Sequence, residues 1–210
     1  KRIFALQGRE VLMTFGLLSE NKGIEVALEA LRTVIRNHPE VIYLIVGATH
    51  PVVRKTHGEA YRKMLLRRVR EHRLSEHVRF VNQYLTLNQL ILFLRATNIY
   101  IAPQLDPAQY VSGTLAYAAA FGKAIIASEF RYATYLLADG RGFLVPPRNP
   151  QAIAEALETL LKDPQKKRDV EEGIYLFSRT MTWPYVASQY ADLFRKVISE
   201  RNGAANATAR

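Results

Sequence analysis

The sequence predicts an α/β fold: a doubly wound parallel sheet of Rossmann-like type, followed by a helical C-terminal appendage. Short apolar runs alternate with amphipathic helical patterns along nearly the whole chain, which is the pattern of repeated βα units. One run, 41–46, is apolar throughout, as expected of a strand buried on both faces of a parallel sheet. The 210 residues are 49% hydrophobic, which is typical of an ordinary globular chain.

Each element follows from local signals in the sequence. The predicted strands are 11–15, 41–46, 78–81, 99–102, 124–128 and 142–145. The predicted helices are 23–37, 59–72, 87–95, 113–121, 132–137, 149 or 150–162, 166–177 and 185–201. His38-Pro39 ends the first helix, Thr86 caps the third, and Asp139-Gly140 ends the fifth. We expect one domain over 1–201 and a disordered tail over 202–210, which is small and polar.

The formal net charge is +10, and much of the excess lies between residues 54 and 73. Its cations are Arg54, Lys55, Arg62, Lys63, Arg67, Arg68, Arg70 and Arg73. Two interpretations stay open: a solvated helix face, or a surface that meets anionic membrane lipids. Nucleic acid is disfavoured as a partner because neither a recognition motif nor stacking aromatic residues accompany the charge.

Other global features limit the class of protein to which this chain can belong. The absence of cysteine excludes disulfides and thiolate metal sites. No apolar run reaches the roughly 18 residues of a membrane span, and no signal peptide opens the chain. We therefore expect a cytoplasmic protein, peripheral at the membrane if the basic segment binds lipid. Because the chain begins at Lys1 rather than Met, we also expect it to be part of a longer protein.

Two strand-to-helix turns carry the candidate site. The turn after the first strand contains Gly16, Lys22 and Gly23, and the turn after the fourth contains the tripeptide Ser112-Gly113-Thr114. In the common doubly wound order these strands are neighbours, and ligands bind where the strand order reverses. Helix N-termini in such turns favour anions. The two turns are therefore predicted to flank one crevice that binds a phosphorylated small molecule.

Lys22 supports this prediction. A cation beside a helix N-terminus opposes the macrodipole at a cost of roughly 0.3–1 kcal/mol, and a bound anion would reverse that cost. The alternative is an exposed lysine beside ordinary turn glycines. A dinucleotide oxidoreductase is disfavoured because no G-x-G-x-x-G follows the first strand.

These residues resemble the C-terminal, donor-binding lobe of GT-B fold glycosyltransferases, specifically the retaining family-4 type. Besides Gly16, Lys22 and Gly23, the resemblance rests on YLIVGATHP at 43–51, VRFVN at 78–82, SGTLAYA at 112–118 with GKAIIA at 122–127, and ADGRGFLVP at 138–146. It covers nearly everything from 11 to 201. The helix introduced by Thr182-Trp183 also looks like the family's C-terminal segment, which crosses back to the other lobe.

The resemblance implies a lobe that binds a nucleotide sugar and, together with a missing N-terminal acceptor lobe, transfers a hexose to a glycan or lipid-linked acceptor in polysaccharide biosynthesis. Lys22 would bind the diphosphate, with help from backbone N–H groups near Ser112, Gly113 and Thr114, and 81–84 would form part of the base pocket. The isolated lobe would bind nucleotide without turnover.

No cofactor and no metal are implied, because helix dipoles and basic side chains neutralise the leaving diphosphate. The spacing of the five histidines agrees with this expectation, since none forms an HExxH or HxH motif. They are His38, His50, His57, His72 and His77.

Three positions depart from the family pattern. Leu17 stands where the family usually has an arginine, and Gln109 and Tyr117 stand where it usually has two glutamates. Both can hydrogen-bond: Gln109 could still contact sugar hydroxyls, and Tyr117 could contact the ribose or simply pack. Asp106 is the nearest carboxylate, with Asp-Pro turn chemistry as its alternative explanation. No catalytic residue is assigned, and a degenerate, non-catalytic scaffold or partner domain remains the alternative.

Overall fold

The computed structural model describes residues 1 and 4–208, and the side chains up to residue 200. It divides into two compact units, 1–175 and 176–210. Within the described part of the first unit, six parallel strands form one sheet in the order β3-β2-β1-β4-β5-β6. The strands are β1 (Glu10–Phe15), β2 (Val41–Val46), β3 (Val78–Val81), β4 (Ile99–Ala102), β5 (Ala124–Ser128) and β6 (Phe143–Val145). The doubly wound prediction, with first and fourth strands adjacent, is confirmed.

Helices follow the strands as the alternating pattern predicts. They are α1 (Ile24–Val34), α2 (Pro51–His57), α3 (Ala60–Glu71), α4 (Leu87–Ala96), α5 (Gly113–Ala120), α6 (Arg131–Leu136), α7 (Pro150–Lys162), α8 (Pro164–Arg179) and α9 (Trp183–Thr208). Thr86 caps α4 through a capping box with Gln89, and Asn149 caps α7.

The basic segment differs from its prediction in two ways. It forms two helices, α2 and α3, because the chain turns at Gly58, whose φ is 61°. Arg62 does not join the charged surface, because its side chain is buried. Tyr61, Leu65 and Val69, which share one face of α3, are buried.

Both faces of the sheet are buried. Leu12, Tyr43 and Ile45 belong to one apolar cluster with residues of α1, α3 and α7. Met13 and Leu44, which point to the opposite face, are also buried. A parallel sheet covered on both faces explains why its strands are mostly apolar.

A buried polar contact joins three neighbouring strands of the sheet. The hydroxyl groups of Thr14 on β1 and Tyr43 on β2 lie 2.6 Å apart, and the Thr14 hydroxyl donates to the carbonyl oxygen of Ile101 on β4. Burial raises the pKa of Tyr43, so its hydroxyl stays protonated. This hydrogen-bonded group links the three central strands side by side.

The second unit ends in α9, which continues as a helix through Thr208. The prediction of a disordered tail from residue 202 therefore differs from the described backbone. The tail is rich in alanine, the strongest helix former, which explains the continuation. The rest of that tail, 209 and 210, lies outside the described residues, and the domain extent 1–201 stays a prediction. No described helix has the length and apolarity that crossing a membrane requires.

Candidate functional site

A cavity of about 610 Å³ lies at the carboxyl ends of β1, β2 and β4. This volume is in the range of small-molecule sites. Its walls come from the turn after β1, from 46–50 after β2, from the segment between β3 and α4, and from the beginning of α5. It therefore occupies the position at which doubly wound folds bind ligands.

The first and fourth turns meet in this cavity. A Cβ atom built on Gly16 would lie 3.1 Å from Thr114 Cγ2 and 4.0 Å from Lys22 Cε. All three residues line the cavity. The prediction that the two turns flank one crevice is confirmed, and it follows from the adjacency of β1 and β4.

Lys22 ends the short 3₁₀ turn Glu20–Lys22, which precedes α1. Its side chain is half-buried, and desolvation lowers the pKa of its ammonium group. Among the residues that the structure describes, none forms an ion pair or hydrogen bond with that ammonium. A desolvated cation without a carboxylate partner favours binding of an anion in the cavity.

Ser112, Gly113 and Thr114 form the beginning of α5. The Ser112 hydroxyl caps the helix by accepting from Leu115 N at 3.3 Å, and it lies 3.2 Å from Thr114 Oγ1. Only Thr114 of the three lines the cavity, and Gly113 has open space where a Cβ would stand. Their predicted contact with a diphosphate stays a prediction.

Tyr100 on β4 contacts the end of β1 beneath the cavity. Its buried hydroxyl donates to the Phe15 carbonyl oxygen at 3.5 Å. Burial raises the pKa of Tyr100 to about 12, so this hydroxyl is neutral at physiological pH. The sequence offers no signal for this contact except the proximity of β1 and β4.

Gly23 lies next to the cavity without lining it. Its φ is 59°, and an added Cβ would lie 2.1 Å from the carbonyl oxygen of Pro103. Close packing of the turn against the end of β4 therefore explains this glycine without a ligand. Its predicted role in donor binding stays a prediction.

The three positions that depart from the family pattern have different surroundings. Leu17 and Tyr117 line the cavity, and the Tyr117 ring packs edge-on against Phe15 with centroids 6.3 Å apart. Gln109 does not line it: its side-chain oxygen accepts from Gln104 Nε2, and its own nitrogen donates to Val111 O at 2.8 Å. Gln104, the hydrogen-bond partner of Gln109, does line the cavity.

The cavity also includes residues that the sequence reasoning missed. Gly47 and Ala48 follow β2, and Asn21 and His50 add polar groups. A Cβ built on Gly47 would lie 1.9 Å from Gly16 O, so only glycine permits this contact between the β1 and β2 turns. A glycine immediately after a buried strand was the available signal. Within the predicted base pocket, 81–84, Gln83 and Tyr84 line the cavity.

No group of three or more histidine, aspartate or glutamate residues is placed to hold a metal ion within the described chain. The polar lining of the cavity consists of amide, hydroxyl, imidazole and ammonium groups. These groups suit an anionic ligand that also has hydrogen-bonding edges.

Comparison with known proteins agrees with this geometry. The family model for glycosyl transferases group 1 matches residues 1–176. A phosphatidyl-myo-inositol mannosyltransferase of Mycobacterium tuberculosis is 31% identical over 197 residues, covering 91% of this chain and 48% of that protein. A D-inositol 3-phosphate glycosyltransferase of Corynebacterium glutamicum is 26% identical, with 92% and 45% covered. The chain thus spans about half the length of these curated relatives.

Solved structures with the same fold include Anabaena HepE in complex with UDP, at a TM-score of 0.78 and 21% identity, covering 93% of this chain and 51% of HepE. The C-terminal domain of a glycosyl transferase group 1 family protein, LpcC of Francisella tularensis, matches at a TM-score of 0.74 and 20% identity. That match covers 85% of this chain and 89% of the LpcC domain. The fold is therefore that of a C-terminal lobe.

Proposed function

Because this chain belongs to the glycosyl transferases group 1 family, we propose that it is the donor-binding half of a hexosyltransferase whose donor is a nucleotide sugar. The observation that carries the proposal is the meeting of Gly16, Lys22 and Thr114 in one cavity. Lys22 and the beginning of α5 would face the diphosphate, and the 83–85 segment would face the base. The solved HepE structures include complexes with UDP and with UDP-glucose, which supports this class of donor.

The reaction would need no metal. As the bond between the sugar and the diphosphate breaks, negative charge grows on the leaving oxygens, and a fixed cation with helix N–H groups would stabilise it. We propose retention of the anomeric configuration, with a glycan or lipid-linked acceptor. The acceptor lobe is outside this chain, so turnover requires the longer protein.

The substitutions Leu17, Gln109 and Tyr117 favour a second candidate: a lobe that has lost catalysis and serves as a scaffold or partner domain. Nucleotide binding distinguishes the two. Isothermal calorimetry of this chain with UDP, GDP and ADP should give saturable binding of at least one nucleotide if the donor site is intact.

Lys22→Met tests the site directly. Loss of a charge-assisted contact should raise the dissociation constant by about tenfold or more. Lys63→Met, on the exposed face of α3, is the matched control and should leave affinity unchanged. Absence of binding by the unmodified chain at millimolar nucleotide would favour the scaffold, and equal affinities of both variants would exclude Lys22 from the site.

A further inference from the structure

Arg62 is an exception among the cations of the basic segment. Its side chain is only 5% exposed. Nη2 donates to Gly47 O at 2.7 Å, and Nε donates to Glu59 Oε2 at 3.2 Å. Nη1 is buried without a hydrogen-bond partner among the described residues. Burying an incompletely paired charge is unfavourable for stability, so stability alone is a poor explanation for this arginine.

The carbonyl group that Arg62 holds belongs to the wall of the cavity. Gly47 and Ala48 both line the cavity, and none of the described peptide bonds is cis. In a trans peptide the N–H points opposite to the C=O. Because the Gly47 carbonyl points at Arg62, the Ala48 N–H points away from Arg62.

The Ala48 N–H is a free donor. Within the described chain no oxygen accepts from it, although the Ala48 carbonyl oxygen accepts from Leu18 N at 2.9 Å. The contact between Gly47 and Gly16 O limits movement of this loop on its other side. The peptide is therefore fixed on three sides and presents one unused donor beside the cavity.

We propose that Arg62 is a positioning residue for the donor site: it orients the Gly47–Ala48 peptide so that the Ala48 N–H donates to an oxygen of the bound nucleotide. The proposal rests on the proposed function. Arg62 itself does not reach the ligand, because its guanidinium lies behind the peptide. Its contribution is to hold a backbone donor in place before the ligand arrives, which lowers the cost of ordering that donor on binding.

The first test follows the Ala48 amide. The chain is labelled with ¹⁵N-alanine, and the Ala48 signal is assigned from its loss in Ala48→Ser. Titration with UDP should move the Ala48 amide proton to higher frequency, as expected for a donor that gains an oxygen acceptor. An unmoved Ala48 signal at saturating UDP contradicts the proposal.

The second test separates positioning from stability. Arg62→Lys keeps the charge but loses the geometry of the guanidinium, and should raise the dissociation constant for UDP by about five- to tenfold. Val69→Ala, a buried change on the same helix, should lower the melting temperature and leave affinity unchanged. If Arg62→Lys lowers only the melting temperature, Arg62 is merely structural.

The outcomes distinguish this proposal from the one on which it rests. The positioning role is overturned if UDP binding depends on Lys22 but not on Arg62 and the Ala48 signal does not move. That result leaves the proposed donor site intact. Failure of the unmodified chain to bind UDP, GDP or ADP overturns both.

Discussion

Gly47 and Gly16 touch through their backbones: a Cβ built on Gly47 would lie 1.9 Å from the carbonyl oxygen of Gly16. This contact joins the turn after β2 to the turn after β1, and a Cβ built on Gly16 would lie 3.1 Å from Thr114 Cγ2 at the beginning of α5. Three strand ends thus form one continuous wall of the cavity.

Gly47→Ala should be strongly destabilising. The added methyl group cannot fit without movement of backbone, and Gly47 has a φ of 141°, which disfavours alanine. We expect a loss of unfolding free energy of about 3 kcal/mol or more in urea denaturation. Gly140→Ala is the control: its φ is also positive, but nothing lies within 4 Å of the new Cβ, so about 1 kcal/mol is expected. Similar losses for both would show that the close contact is unimportant.

UDP affinity should fall as the pH rises through the pKa of Lys22, which desolvation lowers from its usual value of 10.5. A bound diphosphate favours the charged ammonium and raises its pKa, so binding takes up a proton there. Calorimetry in two buffers with different ionisation enthalpies measures this uptake. Lys22→Met should abolish it, and a proton uptake that persists in Lys22→Met would assign it to another group.

Lys22→Met should also stabilise the unliganded chain at neutral pH. Since the folded-state pKa of Lys22 is lowered, the unfolded chain binds more protons, and burial of the charge costs stability below that pKa. The cost diminishes as the pH rises from the folded-state pKa to the unperturbed value of 10.5, where it is lost. Thermal melts should show a higher midpoint for the variant at pH 7 and a smaller difference at high pH; a lower midpoint at pH 7 would contradict the desolvation argument.

Leu17→Arg should strengthen nucleotide binding. Leu17 lines the cavity, so an arginine there would add a second cation to the proposed diphosphate site. The family that the sequence resembles usually has an arginine at this position. We expect roughly a three- to tenfold lower dissociation constant for UDP, with a larger salt dependence. Val52→Arg, on exposed α2, adds the same charge elsewhere and should have little effect. Equal gains from both would indicate general attraction.

The membrane interpretation of the basic segment predicts binding to anionic vesicles. Lys55, Lys63, Arg67 and Arg70 are exposed on α2 and α3, so the chain should sediment with phosphatidylglycerol vesicles more than with phosphatidylcholine ones. Lys63→Glu with Arg70→Glu should weaken that binding and Lys166→Glu with Arg168→Glu, on α8, should weaken it less. Equal sedimentation with both lipids would favour a solvated surface.

Short, mostly apolar runs made the strands predictable: 41–46, 78–81, 99–102 and 124–128 match β2 to β5 residue for residue. The crevice was predictable because strand adjacency follows from the doubly wound order. Contacts between residues distant in the sequence were not predictable, and Arg62 illustrates the reason. Arg62 lies three residues before Leu65 and seven before Val69, on the buried face of α3. Its charge nevertheless suggested that the side chain is exposed to solvent. Its hydrogen bonds to the Gly47 carbonyl oxygen and the Glu59 carboxylate, which the sequence does not reveal, accompany its burial.

The hydroxyl contact between Thr14 and Tyr43 has a consequence for the cavity several residues away. Sliding β1 by one residue against its neighbours would move its end by about 3.3 Å and place these hydroxyls among apolar side chains. That penalty selects one alignment of β1, β2 and β4. Strand register, fixed in the interior of the sheet, thereby determines the shape of the cavity rim.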